Sequence, residues 1–320
     1  VKHSIGIVFA VFVTAAVAYA FSPRSGSPLP ATEIRIEHTL LLDIRRAGER
    51  LIAVGERGRI FFSDDQGGAW RLAATGVDVT LTGVDFAEAG RGLAVGHDAT
   101  ILRTEDGGKS WQRVFAAPEQ RRPLLDVVFV GPDHAIAVGA YSAFLESRDA
   151  GKTWQERLIS EDDRHFNAIA RLTNGTLMIA GEAGVLLRST DAGKTWKSLT
   201  SPYTGSLFGL QALPSGGVLG YGLRGALLRG DAGGKVWKRL EAGGMESLLG
   251  SFIGPASSVT VLGQNGVLLE SRDGGSTFHR RRVENRPTLT SGIALPSPGA
   301  MLAFGDAGVL RPPVNAEGAQ

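Results

Sequence analysis

The sequence of 320 residues contains no cysteine. That excludes disulfides, thiolate metal sites, a cysteine nucleophile and a lipid anchor on cysteine, and leaves packing and hydrogen bonding to hold the fold. An excess of charge is missing too: 34 Lys and Arg stand against 32 Asp and Glu, and the one basic run is Arg280-Arg281-Arg282. A nucleic-acid binder carries a basic stripe, so nucleic acid is not an expected partner. His97, His134 and His165 fall on separate segments without the spacing of metal ligands. The stretches GEAG and GDAG lack the Lys-Ser/Thr ending of a phosphate loop. No metal and no cofactor are expected. Glycine, by contrast, is abundant, with 44 residues where the usual share is about 7%. Such a chain makes many tight turns.

At the start, Lys2 and His3 precede an apolar run from Ile5 to Val17, followed by Ala18-Tyr19-Ala20. A positive start, a short apolar stretch and an A-x-A site together read as a signal peptide over residues 1–20, cleaved after Ala20. The alternative is an uncleaved anchor, because the run extended from Ile5 to Phe21 comes close to the roughly 17 residues that span a bilayer. In both cases the expectation is an exported domain in the bacterial periplasm, at most peripheral to the membrane or anchored through this segment. Residues 21–32 are a Pro/Ser-rich, flexible lead-in, and residues 312–320 are expected as a disordered polar tail.

Self-similarity dominates what lies between. The pattern Ser/Thr-x-Asp-x-Gly-x-Thr/Ser-Trp occurs as SDDQGGAW from Ser63, TEDGGKSW from Thr104, SRDAGKTW from Ser147 and STDAGKTW from Ser189. GDAGGKVW from Gly230 carries one extra residue, and SRDGGSTF from Ser271 ends in Phe. The aromatic positions Trp70, Trp111, Trp154, Trp196, Trp237 and Phe278 are 41 to 43 residues apart. A second pattern, a β-rich run ending in Gly, a two-residue gap, a small residue and another β-rich run, occurs seven times, led by Gly55, Gly96, Gly139, Gly181, Gly222, Gly263 and Gly305.

A repeat of about 42 residues with several short β-runs is the mark of a four-stranded propeller blade. The expected fold is all-β, a seven-bladed β-propeller over residues 33–311. Within a blade the runs predict an inner strand over 124–130, then strands over 135–138 and 144–147, and an outer strand from Trp154. The seventh unit stops at Arg311-Pro312-Pro313 without box or outer strand. The segment Glu33–His38 is expected to close the ring as the missing strand.

The box residues have a structural explanation. A tight turn leaves backbone N–H groups unpaired, and Asp65, Asp106, Asp149, Asp191, Asp231 and Asp273, with the Ser/Thr hydroxyls, can accept from them. The aromatic residue then wedges between sheets. A residue type recurring once per blade is structural by repeat logic, so these aspartates are not expected to be catalytic. The same logic applies to Arg229-Gly230-Asp231, which coincides with a box.

These boxes, followed by A/V-G-x-x-G-x-L, resemble the Asp-box, or BNR, repeat proteins. Seven short, regular units behind a signal peptide most resemble the photosystem II assembly factors of the Ycf48/HCF136 type. That resemblance implies a non-catalytic propeller that helps assemble a membrane protein complex through an arginine-rich surface. For this chain it implies a monomeric binding module, with a membrane or envelope protein complex, such as a transporter, as its partner. Sialidases and other glycoside hydrolases also carry Asp boxes, and they are the enzymatic alternative. That chemistry calls for an Arg triad and a Tyr paired with Glu. Beyond residue 20 the chain offers only Tyr141, Tyr203 and Tyr221, and Tyr221 falls in a second strand, where it is expected in the core. A propeller that binds carbohydrate without cleaving it is the third reading.

The face opposite the boxes is where the repeats disagree. Its gap residues and interblade loops offer Arg57, His97, Arg121, Arg122, Tyr141, Arg164, His165, Tyr203, Arg224, Asn265 and Arg286 as a mixed partner-binding surface. Arg and Tyr are favoured at interface centres, and loops on a rigid scaffold carry specificity.

Overall fold

Each repeat folds into its own antiparallel sheet, strands in sequence order, in the computed structural model, which describes residues 2–21 and 34–313. Six sheets have four strands and the last has three, giving the expected seven-bladed propeller. The chain falls into two compact units, Val1–Ile34 and Arg35–Gln320. In the first, Lys2–Ala20 form an apolar α-helix. Among the described residues no helix is long and apolar enough to cross a membrane. Residues 22–33 and 314–320, and with them most of the expected lead-in and tail, lie outside the described residues.

Blade 3 shows the plan. Its strands are Leu124–Phe129, Ala135–Gly139, Phe144–Ser147 and Gln155–Glu156. The second strands of blades 2 to 7 are buried at every residue, because both faces of each sheet pack on a neighbour. This is why their sequences run apolar without alternation. Each inner strand begins with a fully buried side chain such as Leu124, Leu207 or Leu289, followed by a β-bulge.

Close approach explains the glycine that ends each second strand. A Cβ on Gly55, Gly139, Gly181 or Gly305 would lie 1.8 to 2.2 Å from the carbonyl oxygen that precedes the inner strand of the same blade. No side chain fits there. On the opposite side of the ring, the box glycine of each of blades 1 to 6 rests on a second-strand side chain of the blade before it. Gly108 sits on Ile52, Gly151 on Leu93, Gly193 on Ile136, Gly234 on Met178 and Gly275 on Leu219, and Gly67 of blade 1 sits on Leu302 of blade 7.

The ring is joined between blades 7 and 1 by packing of Leu41, Ile44 and Phe61 with Leu295, Leu302 and Phe304. Thr290 Oγ1 donates to Leu41 O at 2.6 Å, and Arg46 donates to Ala294 O at 2.8 Å. The expected strand over Glu33–His38 is a correction. Glu33 lies outside the described residues, Ile34 and Arg35 are irregular, and Ile36–His38 form one 3-10 turn. A Cβ at Gly308 would meet the Ile36 carbonyl at 2.3 Å. In blades 1, 4 and 5 the same contact, at 2.1 to 2.2 Å, comes from Val77, Tyr203 and Gly244 of the loops that follow the outer strands. Ile36, buried beside Leu41 and Phe304, therefore stands where an interblade loop runs, not a strand.

Candidate functional site

The box turns occupy one side of the ring, and their carboxylates are fully engaged. In blade 3, Ser147 Oγ donates to Asp149 at 2.8 Å and accepts from Gly151 N at 2.9 Å. Asp149 accepts from the backbone N–H of Lys152 and Thr153 and from the Thr153 hydroxyl. Asp65, Asp106, Asp191 and Asp273 are held in the same way. Asp231 has Gly230 where the hydroxyl would be, and it accepts from Lys235 N at 2.7 Å. The Thr153 hydroxyl and the turn N–H groups bring Asp149 down to about 2, and Thr195 and Thr277 hold Asp191 and Asp273 well below the usual carboxylate range. Such carboxylates neither accept nor release a proton near neutral pH. Trp111, Trp154 and Trp237 each donate from Nε1 to a box glycine carbonyl at 3.0 to 3.1 Å. Trp70 and Trp196 pack edge-on against Phe304 and Phe144, and Phe278 packs against the blade 5–blade 6 core.

The opposite side, here the tip face, is built from turns of one backbone geometry and differing side chains. The first gap residue of every blade donates its N–H to the carbonyl preceding the inner strand, as Glu56 does to Leu40 and Ala140 to Pro123. The second gap residue is left-handed in blades 1 to 6: Arg57, Asp98, Tyr141, Ala183, Arg224 and Asn265 have φ between 51 and 56°. Non-glycine residues rarely adopt this conformation, so the turn imposes it, and what varies is the side chain presented.

Among the predicted partner residues, the structure brings together those around blades 3 and 4. The Tyr141 ring, half exposed, lies edge-on to His165 with centroids 4.9 Å apart. Ser142 donates to the carbonyl of Arg164, whose side chain is exposed. The preceding interblade loop is tied to two tips, through Ala99 N–H to Arg122 O and Ala140 N–H to Pro123 O, and it presents Arg121, exposed and left-handed at φ 49°. Arg122 and Tyr203 have internal work instead. Arg122 pairs with Glu156 at 2.6 Å, while Tyr203 donates to Leu223 O at 2.7 Å with Arg239 over its ring. Arg57, His97, Arg224, Asn265 and Arg286 are exposed around the rest of the rim.

A third group, the inner-strand side chains of the central channel, was not foreseen from sequence. Asp43 accepts from Ile44 N, Arg45, Ser291 Oγ and, across to blade 2, Val84 N. Asp85 reaches Phe129 N of blade 3, and Asp126 reaches Ile169 N of blade 4. Burial pushes Asp85 up to about 6 and Asp126 up to about 7, whereas Asp43 keeps Arg45 charged. Tyr221 is buried as expected, but at the channel wall, with its hydroxyl 3.0 Å from Ser251 Oγ and its pKa pushed by burial up to about 12. Asp43, Arg45, Asp126, Tyr221 and Ser251 line a cavity of about 110 Å³, and Arg45, Asp85, Asp126 and Ser251 also line a second one of about 400 Å³, which lies within the about 300–1,000 Å³ of small-molecule pockets. Among the described residues no His, Cys, Asp and Glu cluster could hold a metal ion.

Comparison with known proteins agrees with this architecture. A family model described as photosynthesis system II assembly factor YCF48 matches residues 116–251. Among solved structures, "YCF48 bound to D1 peptide" superposes with a TM-score of 0.70 at 19% identity, covering 92% of this chain and 100% of that one. YCF48 from Cyanidioschyzon merolae gives 0.68 at 19% identity, covering 89% and 97%. The WD40 propeller domain of Doa1 gives 0.68 at 11% identity, covering 85% and 92%, which reflects fold alone. No curated protein matches the sequence.

Proposed function

We propose that this seven-bladed propeller, part of which matches the YCF48 family model and which superposes on YCF48 structures, is an exported, non-catalytic module that docks a segment of a membrane-protein complex on its tip face and assists that complex's assembly. The observation that carries this reading is the contrast between sides: six tip turns of one strained backbone geometry presenting different side chains, with Tyr141, His165, Arg164 and Arg121 gathered around blades 3 and 4. One of the solved structures it resembles is of YCF48 with a D1 peptide bound. A propeller of this kind can hold a piece of another protein, and a tyrosine between exposed arginines suits a peptide with acidic or carbonyl-rich character. The helix Lys2–Ala20 supports export, as a cleaved signal or a retained anchor.

The test is affinity capture from detergent-solubilised envelopes. The tagged protein should retain one membrane complex that an Arg121→Ala/Tyr141→Ala/Arg164→Ala variant does not. Equal capture by both would remove the tip face from the proposal. A glycosidase reading draws on the aspartates and Tyr221 of the channel. Against it stand the hydrogen bonds those aspartates already make between blades. Hydrolysis of a sialoside or aryl glycoside that Asp126→Asn abolishes would restore it.

A further inference from the structure

Each inner strand turns its free edge to the central channel, and an edge strand presents backbone N–H groups that its own ladder does not use. On one arc of the ring the chain caps them itself. Asp43 accepts from Val84 N and Asp126 from Ile169 N, in each case the fourth residue of the next blade's inner strand, and Asp85 accepts from Phe129 N. Blades 5, 6 and 7 keep the same register: Leu210 lies opposite Gly220, Ser251 opposite Val261 and Gly292 opposite Ala303, as Val84 lies opposite Ala94. The N–H groups of Leu210, Ser251 and Gly292 therefore face the channel too. The inner strands of blades 4 to 7, FNAIAR, LFGLQA, LLGSFI and LTSGIA, hold no carboxylate to cap them. Where blades 1 and 3 have Asp43 and Asp126, blades 4, 5 and 6 have Ala168, Gly209 and Gly250. A Cβ on Gly209 would lie 2.2 Å from the Tyr221 ring, and one on Gly250 would lie 2.1 Å from the Thr290 carbonyl oxygen, so blades 5 and 6 have no room there for a side chain of their own.

Leu210, Ser251 and Gly292 border the channel cavity of about 400 Å³, and its charged lining is three arginines, Arg45, Arg46 and Arg171, against two aspartates, Asp85 and Asp126. Both hydrogen bonds that Arg45 makes among the described residues leave from Nη1, and Arg171 is exposed at the end of its strand. The two aspartates are already engaged by N–H groups of the next blade. Burial pushes them up to about 6 and about 7, which reduces the charge they set against an anion near neutral pH. Ile169, Ile253 and Ile293 give the cavity an apolar wall.

We propose that this cavity binds a small monocarboxylic acid. Its carboxylate takes, on the arc of blades 5 to 7, the part that Asp43 and Asp126 take on the other arc: it accepts from the channel-facing N–H groups beside Arg45, while a short apolar stem packs on the isoleucines. Hydrogen bonds from backbone N–H and guanidinium to a carboxylate are charge-assisted and stronger than neutral ones. The excess of one arginine over the aspartates matches a single negative charge, and the apolar wall matches a carbon stem in place of a second anionic group.

The test is an NMR titration of the full chain at neutral pH with butyrate, with butyramide, which keeps the shape and removes the charge, and with inorganic phosphate. Butyrate should bind saturably with a Kd below about 10 mM, and the other two at least about tenfold more weakly. Weaker butyrate binding would overturn the proposal. So would equal binding of butyramide, which would mean an apolar pocket alone, or equal binding of phosphate, which would mean a site for any oxyanion. Ala168→Asp places a carboxylate third in the inner strand of blade 4, where it repeats Asp126 one blade on and reaches toward Leu210 N. By supplying the acceptor from within, it should lower butyrate affinity at least about tenfold. If that variant does not fold, Arg171→Gln, on an exposed side chain, should lower the affinity about threefold. Full affinity in the variant measured would overturn the site.

Discussion

The box side and the tip side of this ring are built from the same strands, yet they constrain sequence in opposite ways. At a box, side chains satisfy the backbone: Ser147, Asp149 and Trp154 each bond to main-chain groups of their own turn, so the same residue types return in every blade. At a tip, backbone satisfies backbone through the first gap N–H; Glu182, Gln264 and Asp306 add a side-chain acceptor for the N–H beside the inner strand, whereas the second gap side chains make no such bond and are released from structural work. Repetition therefore marks stability and variation marks a place where specificity can be written.

Substitutions that test this comparison fall in order of expected effect. Trp154→Ala removes a wedge that is 9% exposed and should cost about 3–5 kcal/mol in denaturant unfolding. A cost below about 1 kcal/mol would break the structural account of the boxes. Gly181→Ala puts a Cβ 2.0 Å from the His165 carbonyl and should cost about 1–3 kcal/mol or more. The tip turns are thus rigid in backbone although free in side chain. Ser147→Ala leaves the buried Gly151 N–H unpaired and should cost about 1–2 kcal/mol. Tyr141→Ala, by contrast, should shift stability by no more than about 0.5 kcal/mol. A larger loss would mean that the tip side chains also serve the fold.

Acidity separates the regions again, and the signs differ. Asp149 lies at about 2 in the fold, below an ordinary carboxylate near 3.9. Its contribution is present above pH about 4 and is lost as pH falls through 2. Asp85 and Asp126, raised to about 6 and about 7, favour the fold fully below pH about 4, and that contribution is lost as pH rises through 6 and 7. Melting temperature should therefore decline from pH 5 to pH 8, and Asp126→Asn should flatten that decline while leaving the acid side unchanged. An identical slope in the variant would show that the channel carboxylate is not the titrating group.

The boxes, blade count and tip turns were legible because each rests on a local pattern repeated at fixed spacing. Asp43, Asp85 and Asp126 were not, because they take different places in the inner strands, third in two blades and fifth in one, and do not recur around the ring. Their role becomes visible only when neighbouring blades place an N–H opposite each carboxylate. The segment Glu33–His38 reads as the strand missing from the incomplete seventh unit, but the contact of Ile36 with Gly308 is that of a loop. Arg122 and Tyr203 looked equivalent to Arg121 and Tyr141 as loop residues. Their partners, Glu156 and Leu223, lie too far along the chain for sequence to reveal.

The measurement that tests the central claim most directly is binding of the captured membrane complex, titrated side by side against three proteins. These are the wild type, the tip variant Arg121→Ala/Tyr141→Ala/Arg164→Ala, and a box-side variant Lys109→Ala/Lys152→Ala/Lys194→Ala. The account predicts that the box-side variant binds like wild type, whereas the tip variant, with unchanged melting temperature, binds at least about tenfold more weakly. Full affinity in the tip variant, or its loss in the box-side variant, would contradict the assignment of binding to the tip face.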